Sequence, residues 1–167
     1  PGVKAVHPAP EHKPMLKNSV PLIGAKRVWD DLDYAGQDMV IAVIDTGIDY
    51  THSSLGGSGD PDDYATNDPD LVEPSSFPTA KVIAGYDFAG TEYDAGCTSD
   101  QEAAGLCTST PLPDPDPLDE NSHGTHVASI AAGVSSGKVS PGVAPEAKLM
   151  ALKVFGESGS TNLTMDA

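Results

Sequence analysis

The stretch Val40-Ile41-Ala42-Val43-Ile44-Asp45-Thr46-Gly47 decides the fold class of this 167-residue chain. It is a continuous apolar run, rich in β-branched side chains, that ends abruptly at a polar turn. Such a run predicts a strand that is buried on both faces, as in a parallel sheet. Apolar runs within residues 81–88 and 147–155 predict two further strands.

Two other stretches carry helical signals. Residues 24–35 place apolar side chains at helical spacing and are followed by Gly36. Residues 122–133 are small and apolar enough to pack tightly against a sheet, and Gly133 provides a natural end. Because this second helix lies between two predicted strands, we expect an α/β fold with a doubly wound, mostly parallel sheet.

The charge of the chain is strongly negative, with 25 acidic and 9 basic residues and a formal net charge of −16. Residues 58–120 hold 15 of the acidic residues and one basic residue, Lys81, together with many prolines. This composition predicts a surface loop and disfavours nucleic acid as a partner. No apolar stretch is long enough to span a membrane, so a membrane partner is not expected either.

Two cysteines, Cys97 and Cys107, lie in this acidic stretch. Their polar surroundings favour a disulfide that closes a small loop, which is typical of an oxidising, extracellular compartment. Spacing alone leaves two free thiols as the alternative.

Asp45 and His123 are the first candidates for chemistry. In parallel sheets, sites form beyond the carboxyl ends of strands, where both Asp45 and the start of the second helix are expected. A lone Asp at this position would cap a turn. A carboxylate that accepts a hydrogen bond from a histidine Nδ1 would instead leave Nε2 free as a general base.

His123 and His126 are one helical turn apart and raise the alternative of a metal site. No H-E-x-x-H pattern and no nearby cysteine supplies further ligands, so no metal ligand is assigned. We expect His126 to be a buried histidine bonded to the backbone.

Residues 43–49 and 121–128 resemble the aspartate and histidine motifs of the subtilisin-like serine peptidases, the subtilase family. Residues 142–149 are similar to the segment that leads into the family's next core strand. The resemblance covers residues 20–57 and 118–167, and the acidic residues 58–120 resemble a family insertion. It implies that residues 13–167 form the N-terminal part of a subtilisin-like catalytic domain, with an incomplete sheet.

The resemblance also implies a function, a serine endopeptidase in which Asp45 orients His123 and His123 accepts the proton of a serine. The family places this serine and its oxyanion-hole Asn downstream of the histidine motif, and neither occurs before Ala167. A fragment of this kind is expected to be inactive alone. The first alternative is a non-catalytic subtilase-like binding protein, and the second is a metal-dependent hydrolase.

For substrates, the resemblance assigns Gly159, Ser160 and Thr161 to an exposed edge to which a protein or peptide adds as a strand. Phe155 is expected either to help wall the adjacent pocket or to belong to the core. Residues 1–12 resemble the end of an inhibitory propeptide, and an N-terminal arm of other origin is the alternative. The resemblance makes the chain's own propeptide a further expected partner and implies that the protein is secreted.

No cofactor is assigned. Many family members hold calcium through an Asp nine residues after the motif aspartate, but here that residue is Ser54. Asp114 and Asp116 offer further oxygen atoms, as do Asp60, Asp62 and Asp63. Because they lack the spacing of a calcium loop, we expect them to be solvated.

Overall fold

The structure is a computed structural model, and it describes residues 16–137 and 139–162. The predicted end of a propeptide, residues 1–12, lies outside these ranges. Within them, no helix is long and apolar enough to cross a membrane.

Five α-helices and three strands are assigned within the described residues. The helices are α1 (Leu16–Leu22), α2 (Ala25–Leu32), α3 (Pro61–Ala65), α4 (Ser99–Ala103) and α5 (His123–Ala132), and the strands are β1 (Val40–Asp45), β2 (Val82–Asp87) and β3 (Lys148–Lys153). A short 3₁₀ helix covers Ser53–Leu55. The predicted strands and the two predicted helices are all present, each within a few residues of its expected bounds.

The three strands form one parallel sheet in the order β1-β3-β2. In the register of the sheet, Lys153 of β3 pairs with Asp45 of β1 on one side and with Asp87 of β2 on the other. All three strands therefore end together at one edge. This parallel sheet, with α5 crossing between β2 and β3, is the α/β architecture that the sequence predicted.

The core lies between the sheet and α5. Ala128 and Ala132 of α5 are fully buried in a cluster with Val43 of β1 and with Leu149 and Ala151 of β3. Small side chains on this face of α5 let the helix approach the sheet closely, as its composition predicted.

The prediction that β1 is buried on both faces is wrong. Val43 is 5% exposed, whereas Val40 and Ile44 on the other face are 48% and 50% exposed. The reason is geometric: among residues 16–137 and 139–162, β1 lies at the edge of the sheet, and α5 packs against the face that carries Val43.

The acidic stretch is not uniformly solvated. Asp60, Asp62 and Asp63 are exposed as expected. Asp116, however, is fully buried, so the prediction that it is solvated is wrong. Its carboxylate accepts hydrogen bonds from Tyr50 Oη at 2.8 Å and from the Leu118 backbone N–H at 3.0 Å. These donors compensate for the lost hydration of the carboxylate, which is why the interior tolerates it.

We expect this buried carboxyl to make stability depend on pH. Burial raises the pKa of Asp116 to about 6, compared with roughly 4 in an unfolded chain. Between these values the folded state keeps a proton that the unfolded state has lost, so the free energy of unfolding falls as the pH rises. Urea unfolding across this range should show the fall, and Asp116→Asn should flatten it.

Asp114 contributes to the same slope, because burial raises its pKa to about 6 as well. Asp100→Asn, at an exposed position in α4, is the control and should leave the slope unchanged. A slope identical in the wild type and in Asp116→Asn would contradict the prediction.

The two cysteines form the predicted disulfide. Cys97 and Cys107 are bonded, with their Cα atoms 6.0 Å apart. The bond closes a loop that contains α4.

Candidate active site

Asp45 is the last residue of β1, and its side chain is 14% exposed. Its Oδ1 accepts the Thr46 backbone N–H at 2.7 Å, so it caps the turn after the strand. The same oxygen lies 2.7 Å from Nδ1 of His123. The turn cap and the histidine contact, which the sequence presented as alternatives, therefore coexist.

His123 is the first residue of α5, and its side chain is 66% exposed. The hydrogen bond to Asp45, together with the negative charge of that carboxylate, raises the pKa of the imidazole above its usual value. Because a carboxylate faces Nδ1, the neutral ring carries its proton there and leaves Nε2 as a free acceptor. This arrangement suits a general base whose tautomer is fixed by its neighbour.

A close approach of two backbones brings Asp45 and His123 together. Gly124 is buried, and its N–H donates to Thr46 Oγ1 at 2.9 Å. A Cβ atom at position 124 would overlap the carbonyl oxygen of Gly47. Gly47 itself has φ +110°, which a residue with a side chain rarely adopts. The two glycines therefore allow the first turn of α5 to rest directly on the turn after β1.

We expect Gly124→Ala to destabilise the protein by about 3 kcal/mol, because the added methyl group must push α5 away from β1. Thermal or urea unfolding measures the loss. Gly105→Ala is the control: no atom lies within 4 Å of its added Cβ, so it should cost only the roughly 1 kcal/mol of its left-handed backbone. Equal losses in the two variants would contradict the proposed packing.

Asp119 is a buried residue of the site that the sequence analysis missed. It is 2% exposed, and its Oδ1 accepts hydrogen bonds from Thr46 Oγ1 at 2.8 Å and from the Ser122 N–H at 3.0 Å. Its Oδ2 accepts the Thr125 N–H at 2.8 Å. Asp119 thus ties the turn after β1 to the start of α5.

One signal in the sequence could have identified Asp119. It precedes the helix by four residues, and Asp is a residue type that accepts backbone N–H groups at such turns. Ser122, directly before the helix, has φ +78°. The Asp119 carboxylate accepts the N–H of this strained residue. Its place at the end of an acidic stretch obscured this role.

A cavity of about 340 Å³ lies beside the Asp45–His123 pair. Its lining brings together four predicted site residues and two others, namely Asp45, His123, Phe155, Gly159, Thr46 and Asn121. Asn121 also donates from Nδ2 to the Glu157 carbonyl at 2.8 Å.

Ser160 and Thr161 are not part of that cavity lining. The Ser160 hydroxyl instead donates to Asp94 Oδ1. Ahead of them, Gly159 closes a turn by donating its N–H to the Gly156 carbonyl at 3.0 Å.

A buried cation lies at the edge of the sheet where the three strands end. Lys153, at the end of β3, is 1% exposed, and its Nζ lies 2.9 Å from Asp87 Oδ2 and 3.4 Å from Glu120 Oε2. Burial alone lowers the pKa of this ammonium group, but the two carboxylates outweigh that effect and raise it. The lysine charge is therefore balanced within the sheet edge.

His126 does not behave as predicted. It is exposed, so the expectation of a buried histidine is wrong. The buried side of α5 is formed by Gly124, Ala128 and Ala132, and position 126 is on the other side of the helix. Among residues 16–137 and 139–162, no group of three or more His, Cys, Asp or Glu could hold a metal ion.

Ser54, at the position where calcium was considered, is fully buried. Its hydroxyl lies 2.8 Å from Nδ1 of His52, and its backbone N–H donates to the same nitrogen. Here the histidine caps the short 3₁₀ helix.

Comparison with known proteins finds that residues 36–167 match the model of the subtilase family. The chain is 35% identical over 147 residues to minor extracellular protease Vpr of Bacillus subtilis. This alignment covers 88% of the chain and 14% of the relative. The chain is 33% identical over 131 residues to thermophilic serine proteinase of Bacillus sp., covering 78% of the chain and 21% of the relative.

A third relative, PII-type proteinase of Lacticaseibacillus paracasei, is 32% identical over 175 residues, covering 99% of the chain and 8% of the relative. The chain thus spans less than a quarter of the length of these three curated relatives.

Proposed function

The chain belongs to the subtilase family, and from that membership we propose that it supplies the aspartate and the histidine of a secreted serine endopeptidase. The observation that carries the proposal is the 2.7 Å contact between Asp45 Oδ1 and His123 Nδ1. These two residues lie in the paired motifs that resemble those of the family. Relatives named as proteases support the assignment to a serine peptidase.

In the proposed reaction, Nε2 of His123 accepts the proton of a serine hydroxyl as the serine attacks the peptide carbonyl. His123 then donates that proton to the leaving amine. Asp45 holds the imidazole in the required tautomer and stabilises its protonated form. The serine and the oxyanion-hole Asn of the proposed reaction are assigned to another part of the whole protein.

The proposed substrate is a protein or peptide bound along the segment after β3. Gly159 and Phe155 line the cavity beside His123, which supports their assignment to substrate binding. Ser160 and Thr161 continue the chain from Gly159 and would offer backbone groups to an added strand. Because such pairing uses the backbone, we expect tolerance of many substrate side chains.

Secretion is part of the proposal. The Cys97–Cys107 disulfide supports an oxidising compartment, and one relative is named as an extracellular protease. The chain's own propeptide remains a proposed partner.

The test uses the whole protein that carries this chain. It should cleave an unfolded protein substrate, and a serine-directed covalent inhibitor should abolish the cleavage, whereas a metal chelator of the kind that strips zinc should not. Cleavage that persists after the serine reagent would contradict the proposal. Binding of the substrate without cleavage would indicate a non-catalytic relative instead.

A further inference from the structure

We propose that residues 91–95, called the clamp, position residues 156–162, the segment to which a substrate would bind. We also propose that the Cys97–Cys107 disulfide stabilises the clamp. The edge segment is defined as residues 156–162, and it contains Gly159, Ser160 and Thr161. The proposal rests on the proposed function, because that function gives the edge segment its role. Residues 91–95 belong to the acidic stretch, and none of the five takes part in the hydrogen bond between Asp45 and His123. The proposal gives this part of the acidic stretch a function of its own.

The clamp and the edge segment meet first through their backbones. Gly156 is buried, and a Cβ atom there would overlap the Tyr93 carbonyl oxygen and lie 2.7 Å from the Thr91 carbonyl oxygen. The neighbouring Glu157 donates its backbone N–H to that Thr91 oxygen at 2.9 Å. No side chain fits between the two segments at this point, so the clamp sets the path of the chain as it leaves β3.

Side chains of the clamp then hold the far end of the edge segment. Tyr93 is fully buried, and its hydroxyl donates to Asn162 Oδ1 at 2.6 Å and accepts the Asn162 N–H at 3.2 Å. The Ser160 hydroxyl donates to Asp94 Oδ1 and accepts the Ala95 N–H at 2.9 Å. The edge segment is thus fixed at both ends by four residues of the clamp, Thr91, Tyr93, Asp94 and Ala95.

The disulfide stabilises the clamp itself. Asp94 donates its N–H to the Thr108 carbonyl at 2.9 Å, and Thr108 donates its N–H to the Glu92 carbonyl at 2.9 Å. Cys97 donates its N–H to the Asp94 carbonyl at 3.0 Å, and Cys107 directly precedes Thr108. The disulfide therefore links the segment that contains residues 92–97 to the segment that contains residues 107–108, next to the hydrogen bonds between them.

These contacts predict an effect on substrate binding rather than on chemistry. A peptide that adds to an edge binds best when the edge is already ordered, because ordering it during binding costs free energy. Asp45 and His123 are held by a separate set of contacts, from Thr46 and Gly124. Loosening the clamp should therefore raise KM for peptides and leave kcat unchanged.

The experiment compares Tyr93→Phe and the double variant Cys97→Ser/Cys107→Ser with the wild-type whole protein. Tyr93→Phe keeps the buried ring and removes only the hydroxyl. Tyr34→Phe removes a hydroxyl from a side chain that is 68% exposed and serves as the control. Hydrogen exchange of the amides of residues 156–162 is measured together with kcat and KM for a peptide substrate.

We expect Tyr93→Phe to raise both the exchange rate of the edge segment and KM about tenfold, with kcat unchanged. The double cysteine variant should move both quantities in the same direction, and Tyr34→Phe should move neither. Unchanged exchange in Tyr93→Phe and in the cysteine variant would overturn the clamp. Faster exchange with an unchanged KM would overturn its link to substrate binding.

A wild-type protein without peptidase activity would contradict the proposed function and with it the substrate-binding role of the clamp. The exchange data would still decide whether residues 91–95 hold the edge segment. The two failures are therefore distinguishable.

Discussion

Replacement of His123 by alanine should lower kcat of the whole protein by about 10⁶-fold, the size of the loss when subtilisin is deprived of its catalytic histidine. The expected cause is that the serine hydroxyl loses the base that accepts its proton. Steady-state cleavage of a peptide measures the change. Because the His123 side chain is largely exposed, its removal should leave the unfolding temperature nearly unchanged.

His126→Ala is the matched control for this prediction. It removes an imidazole from the same helix, one turn further on, where the residue is exposed. We expect its kcat to stay within about tenfold of the wild type, since a surface substitution of this kind has little effect. A comparable loss in the two variants would contradict the assignment of the base to His123.

Asp45→Asn should lower kcat by about 10⁴-fold, the size of the effect when the aspartate of such a triad is removed. An asparagine side chain can donate from its amide to Nδ1 of His123, and this favours the tautomer in which Nε2 already carries a proton. The shape of the site would change little. The loss should therefore appear in kcat rather than in KM.

Asp49→Asn provides the control within the same loop. The Asp49 carboxylate accepts the Thr51 N–H at 2.9 Å and caps the following turn. We expect kcat of this variant to stay within about tenfold of the wild type, because its effect is confined to a local turn. A full loss in Asp49→Asn together with a small loss in Asp45→Asn would reverse the assignment.

The sheet and α5 could be predicted from the sequence because their signals are local. The apolar run that ends at Asp45 and the small residues after His123 each define an element over fewer than a dozen positions. Parallel order then follows from a helix between two strands, since a crossover of this kind places strand ends at one edge. These two elements largely fix the position of the candidate site, because Asp45 ends β1 and His123 begins α5.

The burial of particular acidic residues could not be predicted in this way. Composition averages over a stretch, whereas the burial of Asp116 depends on the Tyr50 hydroxyl, 66 residues away in the chain. Asp119 likewise accepts a hydrogen bond from Thr46, 73 residues away. A carboxylate is stable in the interior only where such remote donors meet it.

The exposure of His126 and of one face of β1 has a similar origin. Periodicity identifies a helix with small residues but does not tell which of its sides meets the sheet when most side chains are apolar or small. A run of apolar residues looks the same in the sequence whether other elements cover one face of the strand or both faces. Contacts between residues 91–95 and 156–162 are also long-range and have no local signature.

The most direct test of the account is the pKa of His123, measured by NMR titration of its ring protons in the wild-type protein and in Asp45→Asn. Because the Asp45 carboxylate stabilises the protonated imidazole, the wild-type pKa should lie above the usual value of about 6.5. It should fall in the variant, because the neutral amide of asparagine stabilises the protonated imidazole less than the carboxylate does. The same pKa for His123 in both proteins would show that the two side chains do not interact, and the proposed catalytic pair would be refuted.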